Sequence, residues 1–138
     1  MVEVLVTGGA GFIGSNFVKF ALDAHPDWRI TTLDKLTYAG RLENLQSVKD
    51  NPRHTFVQGD VTNPIIVKPL VEQAEIVLHL AAETHVDRSI VNASDFIMTD
   101  VYGTFVLLEA ARNAEKLRRF IQVSTDEVYG SVSAGARR

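Results

Sequence analysis

The chain has 138 residues, which is enough for one domain with a hydrophobic core, and its composition (46% hydrophobic, 22% charged) is ordinary for a globular protein. A net charge of −3 without a basic run argues against nucleic acid as the main partner. Since the chain lacks cysteine, it can form neither a disulfide framework nor a thiolate metal site. No apolar stretch reaches about 18 residues and the N-terminus resembles a core strand, so a cytoplasmic protein that does not bind membranes is expected.

Strand and helix patterns alternate along the chain. Apolar runs predict strands at 2–7, 29–33, 54–58, 76–80 and 119–124, and helical spacing predicts helices at 12–25, 42–48, 65–73 and 94–114. Strands as apolar as these are typical of a parallel sheet that helices bury on both faces. We therefore predict one α/β domain with a doubly wound parallel sheet, and we expect the terminal residues 131–138, which show no core pattern, to fray.

The first strand leads into a turn with three regularly spaced glycines. Gly8, Gly11 and Gly14 stand where glycines let the chain reverse, a pyrophosphate approach the backbone, and a helix pack on the sheet. The N-terminus of that helix offers N–H groups and the positive end of its dipole to phosphates. Asp34 follows the second strand about twenty residues after the last glycine, where a carboxylate can accept from the ribose hydroxyls of an adenosine. The turn predicts a Rossmann-type dinucleotide-binding domain.

The residue after the second strand also predicts which dinucleotide binds. A carboxylate at Asp34 would repel the 2′-phosphate of NADP, and the glycine turn contains no Arg to offset that repulsion. Lys35 is the one ambiguous neighbour, because its cation lies beside the carboxylate in the sequence. We therefore expect NAD rather than NADP.

The helical spacing of apolar residues predicts further side chains that pack in the hydrophobic core. The apolar positions are Phe12, Phe17 and Phe20, expected in the core, and Ile97, Val101, Phe105, Leu108 and Ala111 along one face of the helix at 94–114. Gly103 costs roughly 1 kcal/mol inside that helix, which predicts close packing or the approach of a cofactor. No metal site is expected, because nothing near His79 or His85 has the spacing of ligands.

Five segments together resemble the extended short-chain dehydrogenase/reductase superfamily, and more narrowly its nucleotide-sugar 4,6-dehydratases. They are the glycine turn 7–14, Asp34-Lys35-Leu36-Thr37-Tyr38-Ala39-Gly40, Gly59-Asp60-Val61, the run 79–89 and Ser124-Thr125-Asp126-Glu127-Val128-Tyr129-Gly130. The resemblance covers residues 2 to about 131. The last segment is the most specific, because epimerases of the same fold usually carry small residues in place of Asp126 and Glu127.

The resemblance implies an NAD-dependent lyase of deoxysugar biosynthesis that converts dTDP-glucose to dTDP-4-keto-6-deoxyglucose. It implies Glu127 as the base at sugar C5, Asp126 as the acid at the C6 hydroxyl and Thr125 as a hydrogen-bond donor to the sugar. The implied substrate-binding residues are Thr84 and Thr125. The implied cofactor-binding residues are Gly8, Gly11, Phe12, Ile13, Gly14, Asp34, Lys35, Leu36, Thr37, Asp60, Val61, Leu80, Ala81, Ala82 and Thr99.

Without the resemblance, several of these residues also have a purely structural explanation. Asp60 is also typical of a helix cap, Thr99 of a helix surface, and an Asp-Glu pair of a solvated loop. Neighbours on a strand point to opposite faces, so Asp126 and Glu127 can reach one substrate only if the fifth strand has ended by Thr125.

Two departures from the superfamily pattern limit the expected activity. Asp100 stands where the superfamily usually has Asn, and an ionised carboxylate cannot replace the amide as a donor. Residues 1–138 contain no Tyr-x-x-x-Lys, and Tyr129 cannot supply it, since Ser133 stands where the Lys would be. We expect a cofactor domain that is incomplete at its C-terminus, without the sugar-nucleotide-binding domain, and inactive as a dehydratase by itself.

The sequence leaves other functions open. The alternatives to a dehydratase are an NAD-dependent nucleotide-sugar epimerase or decarboxylase, and a non-catalytic NAD-binding half-domain. Neither the nucleotide nor the sugar can be identified from these residues. The helix at 94–114 is a candidate interface of a homodimer, by resemblance to dimeric relatives.

Overall fold

The computed structural model describes residues 1–83 and 93–131. The strands are β1 (Val2–Thr7), β2 (Trp28–Asp34), β3 (His54–Gln58), β4 (Ile76–His79) and β5 (Arg119–Gln122). The α-helices are α1 (Phe12–Ala24), α2 (Pro64–Gln73), α3 (Ala93–Phe96) and α4 (Thr104–Arg112). A π-helical stretch, Ile97–Gly103, joins α3 to α4 and is called the π segment below, and 3-10 helices lie at Leu42–Val48 and Asp126–Tyr129.

The strands form one parallel sheet with the order β3-β2-β1-β4-β5. Thr7, at the end of the central strand β1, is in register with Leu33 on one side and His79 on the other. The direction of the strand order reverses between β1 and β4, and in such sheets ligands bind in the crevice beyond the carboxyl ends of the strands at that point. The prediction of an α/β, doubly wound parallel sheet is confirmed.

Each face of the sheet is covered by a separate cluster of apolar side chains. One cluster joins the sheet to α1 and to the 3-10 helix Leu42–Val48, through residues such as Val18, Leu22 and Leu45. The other joins it to α2 and α4, through residues such as Val67, Val71 and Leu107. Helices on both faces leave the carboxyl edge of the sheet as the accessible place for a ligand.

Most predicted elements have the expected bounds, because their apolar periodicity is local. The predicted strands at 2–7 and 54–58 and the helix at 42–48 agree with the structure, although that helix is of the 3-10 type. The strands predicted at 76–80 and 119–124 end earlier, at His79 and Gln122. The helix predicted at 94–114 begins at Ala93, ends at Arg112 and is interrupted by the π segment.

The expected burial of the phenylalanines is wrong for two of the three. Phe17 packs against the first core cluster, whereas Phe12 is 82% and Phe20 65% exposed. Val18 and Leu22 define the buried face of α1, and Phe20 lies between them in sequence, on the opposite side of a helix with about 100° per residue. Phe12 begins the helix at the open carboxyl edge of the sheet.

The apolar face predicted for the fourth helix is also wrong as a core face. Its members Ile97, Val101, Phe105 and Leu108 are 49% to 64% exposed, and only Ala111 packs against the core. The buried face is carried instead by Gly103, Val106 and Leu107. A Cβ on Gly103 would lie 2.6 Å from Cγ2 of Val61, so this glycine is required for close packing, as its cost in a helix predicted.

The prediction that helices bury the strands on both faces is wrong for β5. Ile121 is 44% exposed, because β5 lies at the edge of the described sheet. Among the described residues, no helix is both long enough and apolar enough to cross a membrane.

Candidate functional site

The glycine turn is held in one conformation by contacts that a side chain would prevent. Gly8 has φ +70°, and a Cβ there would lie 2.7 Å from the backbone nitrogen of Ala81. A Cβ on Gly14 would lie 2.7 Å from Cα of Gly9. At Gly11 the nearest atom to a Cβ would be the Gly8 carbonyl oxygen at 3.3 Å, so this position is open on its other sides. The turn therefore forms a cradle with one uncovered glycine, as the approach of a pyrophosphate requires.

The N-terminus of α1 suits an anion for electrostatic reasons. Gly11 is the N-cap residue, and neither a side-chain cap nor an acidic residue occupies the first turn. The N–H groups at the start of a helix lack partners within the helix, and the helix dipole adds positive potential there. Phe12 and Ile13, both implied cofactor residues, begin this helix and are exposed.

Asp34 is fixed beside the turn by two backbone N–H groups. Its Oδ2 accepts from Ala10 at 2.9 Å and its Oδ1 accepts from Leu36 at 2.8 Å. A carboxylate has about four acceptor positions, so two hydrogen bonds leave capacity for a pair of ribose hydroxyls. Leu36 itself has φ +60°, a conformation uncommon for a residue with a side chain, and packs partly against the first core cluster.

Lys35 and Asp60 form an ion pair between the chain segments that follow β2 and β3. Nζ of Lys35 lies 2.7 Å from Oδ2 of Asp60, and the hydrogen bond to Asp60 raises the pKa of Lys35. Burial acts to raise the pKa of Asp60, but the hydrogen bond from Lys35 holds it below the usual value. Oδ1 of Asp60 also accepts from the Thr62 N–H at 2.9 Å. Lys35, whose effect on cofactor choice is ambiguous from the sequence, is therefore paired with Asp60. Thr37, another implied cofactor residue, is exposed.

The chain after β4 lies directly against the glycine turn. Leu80 N–H donates to the Thr7 carbonyl at 3.1 Å, and Ala81 N–H donates to the Thr7 hydroxyl at 3.3 Å. Ala82 is exposed. Of the implied cofactor residues, the structure thus brings Leu80 and Ala81 next to Gly8, at the reversal of the strand order.

The implied residues Val61 and Thr99 have different surroundings. The Val61 side chain is buried in the second core cluster, so only its backbone can contact a cofactor. Thr99 lies half-buried in the π segment. π-helical turns inside α-helices occur frequently at functional sites.

Asp100 acts as an acceptor in this structure. Its Oδ1 accepts from the Glu83 N–H at 2.8 Å, a bond that an Asn oxygen could make equally well. Burial raises the pKa of Asp100, against the lowering effect of this hydrogen bond. The departure from the Asn of the superfamily therefore keeps the contact with Glu83.

The Thr-Asp-Glu segment follows β5 in a non-strand conformation. β5 ends at Gln122, and a 3-10 helix begins at Asp126, so the condition that the strand end before Thr125 is met. Thr125 is exposed, whereas the side chains of Asp126 and Glu127 lie outside the described part of the structure, as does Thr84 entirely. Their catalytic and substrate-binding roles stay predictions. Within residues 1–83 and 93–131 no group of His, Asp or Glu side chains could hold a metal ion.

The sequence identifies His79 only as a residue at the end of a strand. In the structure it is fully buried and forms a hydrogen bond through each ring nitrogen. Its hydrogen-bond partners, Thr7 and Thr104, lie 72 positions before it and 25 after it. Only its place at the end of an apolar strand could have drawn attention to it.

The sheet order, the glycine cradle and the carboxylate after β2 define a Rossmann-type dinucleotide-binding domain. The chain belongs to the GDP-mannose 4,6 dehydratase family, whose sequence pattern matches residues 5–137. The resemblance to dehydratases of the short-chain dehydrogenase/reductase type is thereby confirmed.

Individual relatives are similar over nearly the whole chain. It is 52% identical over 134 residues to the low-salt glycan biosynthesis protein Agl12 of Haloferax volcanii, covering 97% of this chain and 43% of that protein. It is 49% identical over 136 residues to a dTDP-glucose 4,6-dehydratase of Mycobacterium tuberculosis, covering 99% and 40%. The crystal structure of the Streptomyces venezuelae dTDP-glucose 4,6-dehydratase DesIV, which contains NAD, is similar with a TM-score of 0.90 and 46% identity, over 99% of this chain and 43% of that one. The chain thus spans about two fifths of these relatives.

Proposed function

We propose that the chain is the NAD-binding part of a nucleotide-sugar 4,6-dehydratase that converts dTDP-glucose to dTDP-4-keto-6-deoxyglucose. One observation carries the proposal: a Thr-Asp-Glu segment begins just beyond the end of β5, in a sheet whose central turn fits a dinucleotide. The similarity to dTDP-glucose 4,6-dehydratases at 46% and 49% identity supports the choice of reaction. We place the sugar-nucleotide-binding domain and the Tyr-x-x-x-Lys in the part of the relatives that the chain does not span.

The proposed cofactor is NAD, held along the carboxyl edge of the sheet. The pyrophosphate would lie over Gly11 at the N-terminus of α1, where the N–H groups and the helix dipole favour negative charge. Asp34 would accept from the ribose hydroxyls of the adenosine, and Asp60 with Val61 would lie at the adenine. Leu80 and Ala81, which contact Gly8, would face the nicotinamide half. The remaining proposed contacts are Phe12, Ile13, Gly14, Lys35, Leu36, Thr37, Ala82 and Thr99.

The proposed chemistry divides between the cofactor and two carboxyl groups. When bound, NAD would supply the hydride transfer from sugar C4 and back to C6, with the hydroxyl proton at C4 passing to the Tyr of the Tyr-x-x-x-Lys. Glu127 takes the C5 proton, which the C4 ketone acidifies, and Asp126 gives a proton to the C6 oxygen, so that this oxygen leaves as water. Glu127 then returns the proton to C5, which completes the saturated C5–C6 bond of the product. Thr125 donates a hydrogen bond to the sugar and holds it beside the two carboxyl groups, and Thr84 contributes to binding of the substrate.

We further propose that the protein works in the cytoplasm as a homodimer. The exposed apolar face of the π segment and α4 supports the dimer, because monomeric proteins rarely expose large contiguous apolar patches. Its members are Ile97, Val101, Phe105 and Leu108.

A chimera tests the reaction, since it supplies the remainder of a complete enzyme. Residues 1–131 replace the matching part of the Streptomyces venezuelae dehydratase, and dTDP-glucose is mixed rapidly with the purified protein. In Glu127→Gln and Asp126→Asn we expect nicotinamide reduction to persist by absorbance, while loss of water slows about 10²-fold or more. Solvent deuterium at C5 reports proton removal separately.

The exposed Glu115 provides a matched control, because Glu115→Gln makes the same change away from the site. If the Glu127 or Asp126 variant loses nicotinamide reduction and keeps normal elimination, the roles are wrong and an epimerase-like site becomes the better assignment. A chimera that binds NAD but forms no 4-keto-6-deoxy product contradicts the dehydratase proposal.

A further inference from the structure

A buried histidine connects the centre of the sheet to the π segment. His79, the last residue of β4, has no exposed surface. Its Nδ1 lies 2.6 Å from the Thr7 hydroxyl, and its Nε2 lies 3.1 Å from the Thr104 hydroxyl. The ring therefore joins the end of β1 to the first residue of α4 through β4.

The neighbouring groups determine which nitrogen carries the proton. The Thr104 hydroxyl lies 2.6 Å from the Asp100 carbonyl oxygen, which can only accept, so this hydroxyl donates there. Thr104 must then accept from His79 Nε2–H. Nδ1, as the unprotonated nitrogen, accepts from the Thr7 hydroxyl, whose oxygen accepts from the Ala81 N–H at 3.3 Å. Of the two neutral tautomers, only Nε2–H gives each of these hydrogen bonds one donor and one acceptor.

The hydrogen bond from the Thr104 hydroxyl to the Asp100 carbonyl supports an irregular part of the helix. In a regular α-helix the Thr104 N–H would bond the Asp100 carbonyl, but here it bonds the Val101 carbonyl. The Thr104 hydroxyl supplies a donor to the Asp100 carbonyl in its place. The irregular register at Asp100 is therefore coupled to the ring of His79.

The side chain of Asp100 connects the π segment, through hydrogen bonds, to the crevice at the carboxyl edge of the sheet. Its Oδ1 accepts from the Glu83 N–H, and Oε2 of Glu83 accepts from the Tyr38 hydroxyl at 3.1 Å. Tyr38 follows β2 and Glu83 follows β4, so their bond joins segments on either side of the central strand β1. The hydrogen bonds thus run from beneath the glycine turn to a contact between the two sides of the crevice.

We propose that His79 is a positioning residue which, as the Nε2–H tautomer, holds the π segment through Thr104 in the register that places Asp100 on the Glu83 amide. The contact between Asp100 and the Glu83 amide, together with the bond from Tyr38 to Glu83, in turn sets the width of the crevice between the chain after β2 and the chain after β4. The proposal rests on the proposed function only in that the crevice is taken to bind NAD. The tautomer and the Glu83 contact are properties of the chain itself.

Nitrogen NMR of the 138-residue chain labelled at histidine tests the tautomer. The chain has four histidines, and His79→Gln identifies the signals of this one. We expect a pyridine-like shift for Nδ1 and a pyrrole-like shift for Nε2 at neutral pH. The reverse pattern overturns the proposal, because Thr104 would then have to donate to both His79 and Asp100.

The Thr104 hydroxyl is tested with Thr104→Val, with Thr104→Ser as the conservative variant that keeps a donor. In Thr104→Val we expect the Glu83 amide to exchange about fivefold faster, relative to the Leu5 amide in the core, and NAD to bind about fivefold more weakly. In Thr104→Ser both values should return toward those of the unchanged chain. Thr55→Val, at an exposed strand position, is the matched control and should change neither.

The outcomes separate this proposal from the proposed function. A chain that binds no NAD contradicts the cofactor assignment, while the tautomer and the Glu83 amide still decide the role of His79. If Thr104→Val folds and leaves the Glu83 amide unchanged, His79 has a purely local structural role and the positioning proposal is wrong. If Thr104→Val does not fold, Thr104→Ser and the tautomer of the unchanged chain decide it.

Discussion

The carboxyl ends of β1 and β5 differ in how many neighbours surround them. β1 lies at the centre of the sheet, its last four residues are buried, and the segments after β2 and β4 lie on either side of it. β5 lies at the edge of the described sheet, and three of its four residues are exposed. The proposed dinucleotide cradle follows β1, and the proposed catalytic carboxyl groups follow β5.

The difference teaches that strand position governs how fully a site is formed by the surrounding chain. At β1 the glycine turn contacts Ala81, while Asp34 is oriented by Ala10 and Leu36. After β5 the described hydrogen bonds include one from Val123 N–H to the His79 carbonyl at 3.1 Å and a local one from Val128 N–H to the Thr125 carbonyl at 3.5 Å. The proposed dinucleotide cradle is therefore fixed by contacts with the chain after β2 and with the chain after β4, one on each side of β1.

Two glycines with the same backbone conformation test this comparison with the largest expected effect. Gly8 has φ +70° and Gly130 has φ +71°, but only a Cβ on Gly8 would overlap backbone, at Ala81. Gly8→Ala should lower the free energy of unfolding by about 3 kcal/mol or more, because left-handed strain and overpacking add. Gly130→Ala should cost about 1 kcal/mol, from strain alone. Urea unfolding measures both, and equal losses would contradict the contrast.

The buried ring of His79 provides a test of similar size, by pH. Burial lowers the pKa of His79 to about 4 from the ordinary 6.5, so the folded chain binds fewer protons than the unfolded chain between these values. Its contribution to the free energy of unfolding is complete above about pH 6.5 and is lost as the pH falls towards 4, by about 3 kcal/mol in total.

The measurement is urea unfolding across this pH range, with His79→Gln for comparison. Glutamine keeps a donor near Thr104 and does not titrate, so its stability should depend less steeply on pH than that of the unchanged chain. His54, whose pKa burial also lowers, is retained in both proteins and cancels in the difference. Parallel curves for the two proteins would show that His79 is not held neutral.

A smaller effect is expected at the ion pair beside the cradle. If Asp60 holds Lys35 away from a 2′-phosphate, Asp60→Asn should raise the ratio of NADP affinity to NAD affinity roughly two- to fivefold, the range of an exposed ion pair. Lys35→Ala in that background should remove the gain, and Lys35→Ala alone should change little. A gain that persists in the double variant would mean that loss of the Asp60 charge alone is responsible. Titration with both cofactors gives the ratio.

Local features of the fold were predictable from the sequence. The strand before the glycine turn, the helix after it and the position of Asp34 depend on neighbouring residues and a short spacing, so their pattern is visible in the chain. Gly103 was assigned to close packing or cofactor approach because of its cost within a helix, and the contact with Val61 accounts for it.

Features that depend on distant pairing were not predictable. The bond between Thr7 and His79 joins residues 72 positions apart, and nothing in the apolar pattern specifies it. The π segment was missed because its apolar residues keep helical spacing, and the apolar stripe at Val101 and Phe105 proved to be exposed. The acceptor role of Asp100 required knowledge that the Glu83 N–H lies beside it.

Calorimetric titration of the 138-residue chain with NAD tests the central claim most directly, with Gly11→Ala as the variant. Gly11 has φ −72° and ψ 176°, which alanine adopts readily, and its Cβ would have only the Gly8 oxygen, at 3.3 Å, as a close neighbour. We predict one saturable NAD site per chain, weakened roughly tenfold or more in Gly11→Ala with little change in stability, because the methyl group occupies the place of the pyrophosphate. A folded chain that takes up no NAD, or a variant that binds it equally well, would contradict the account.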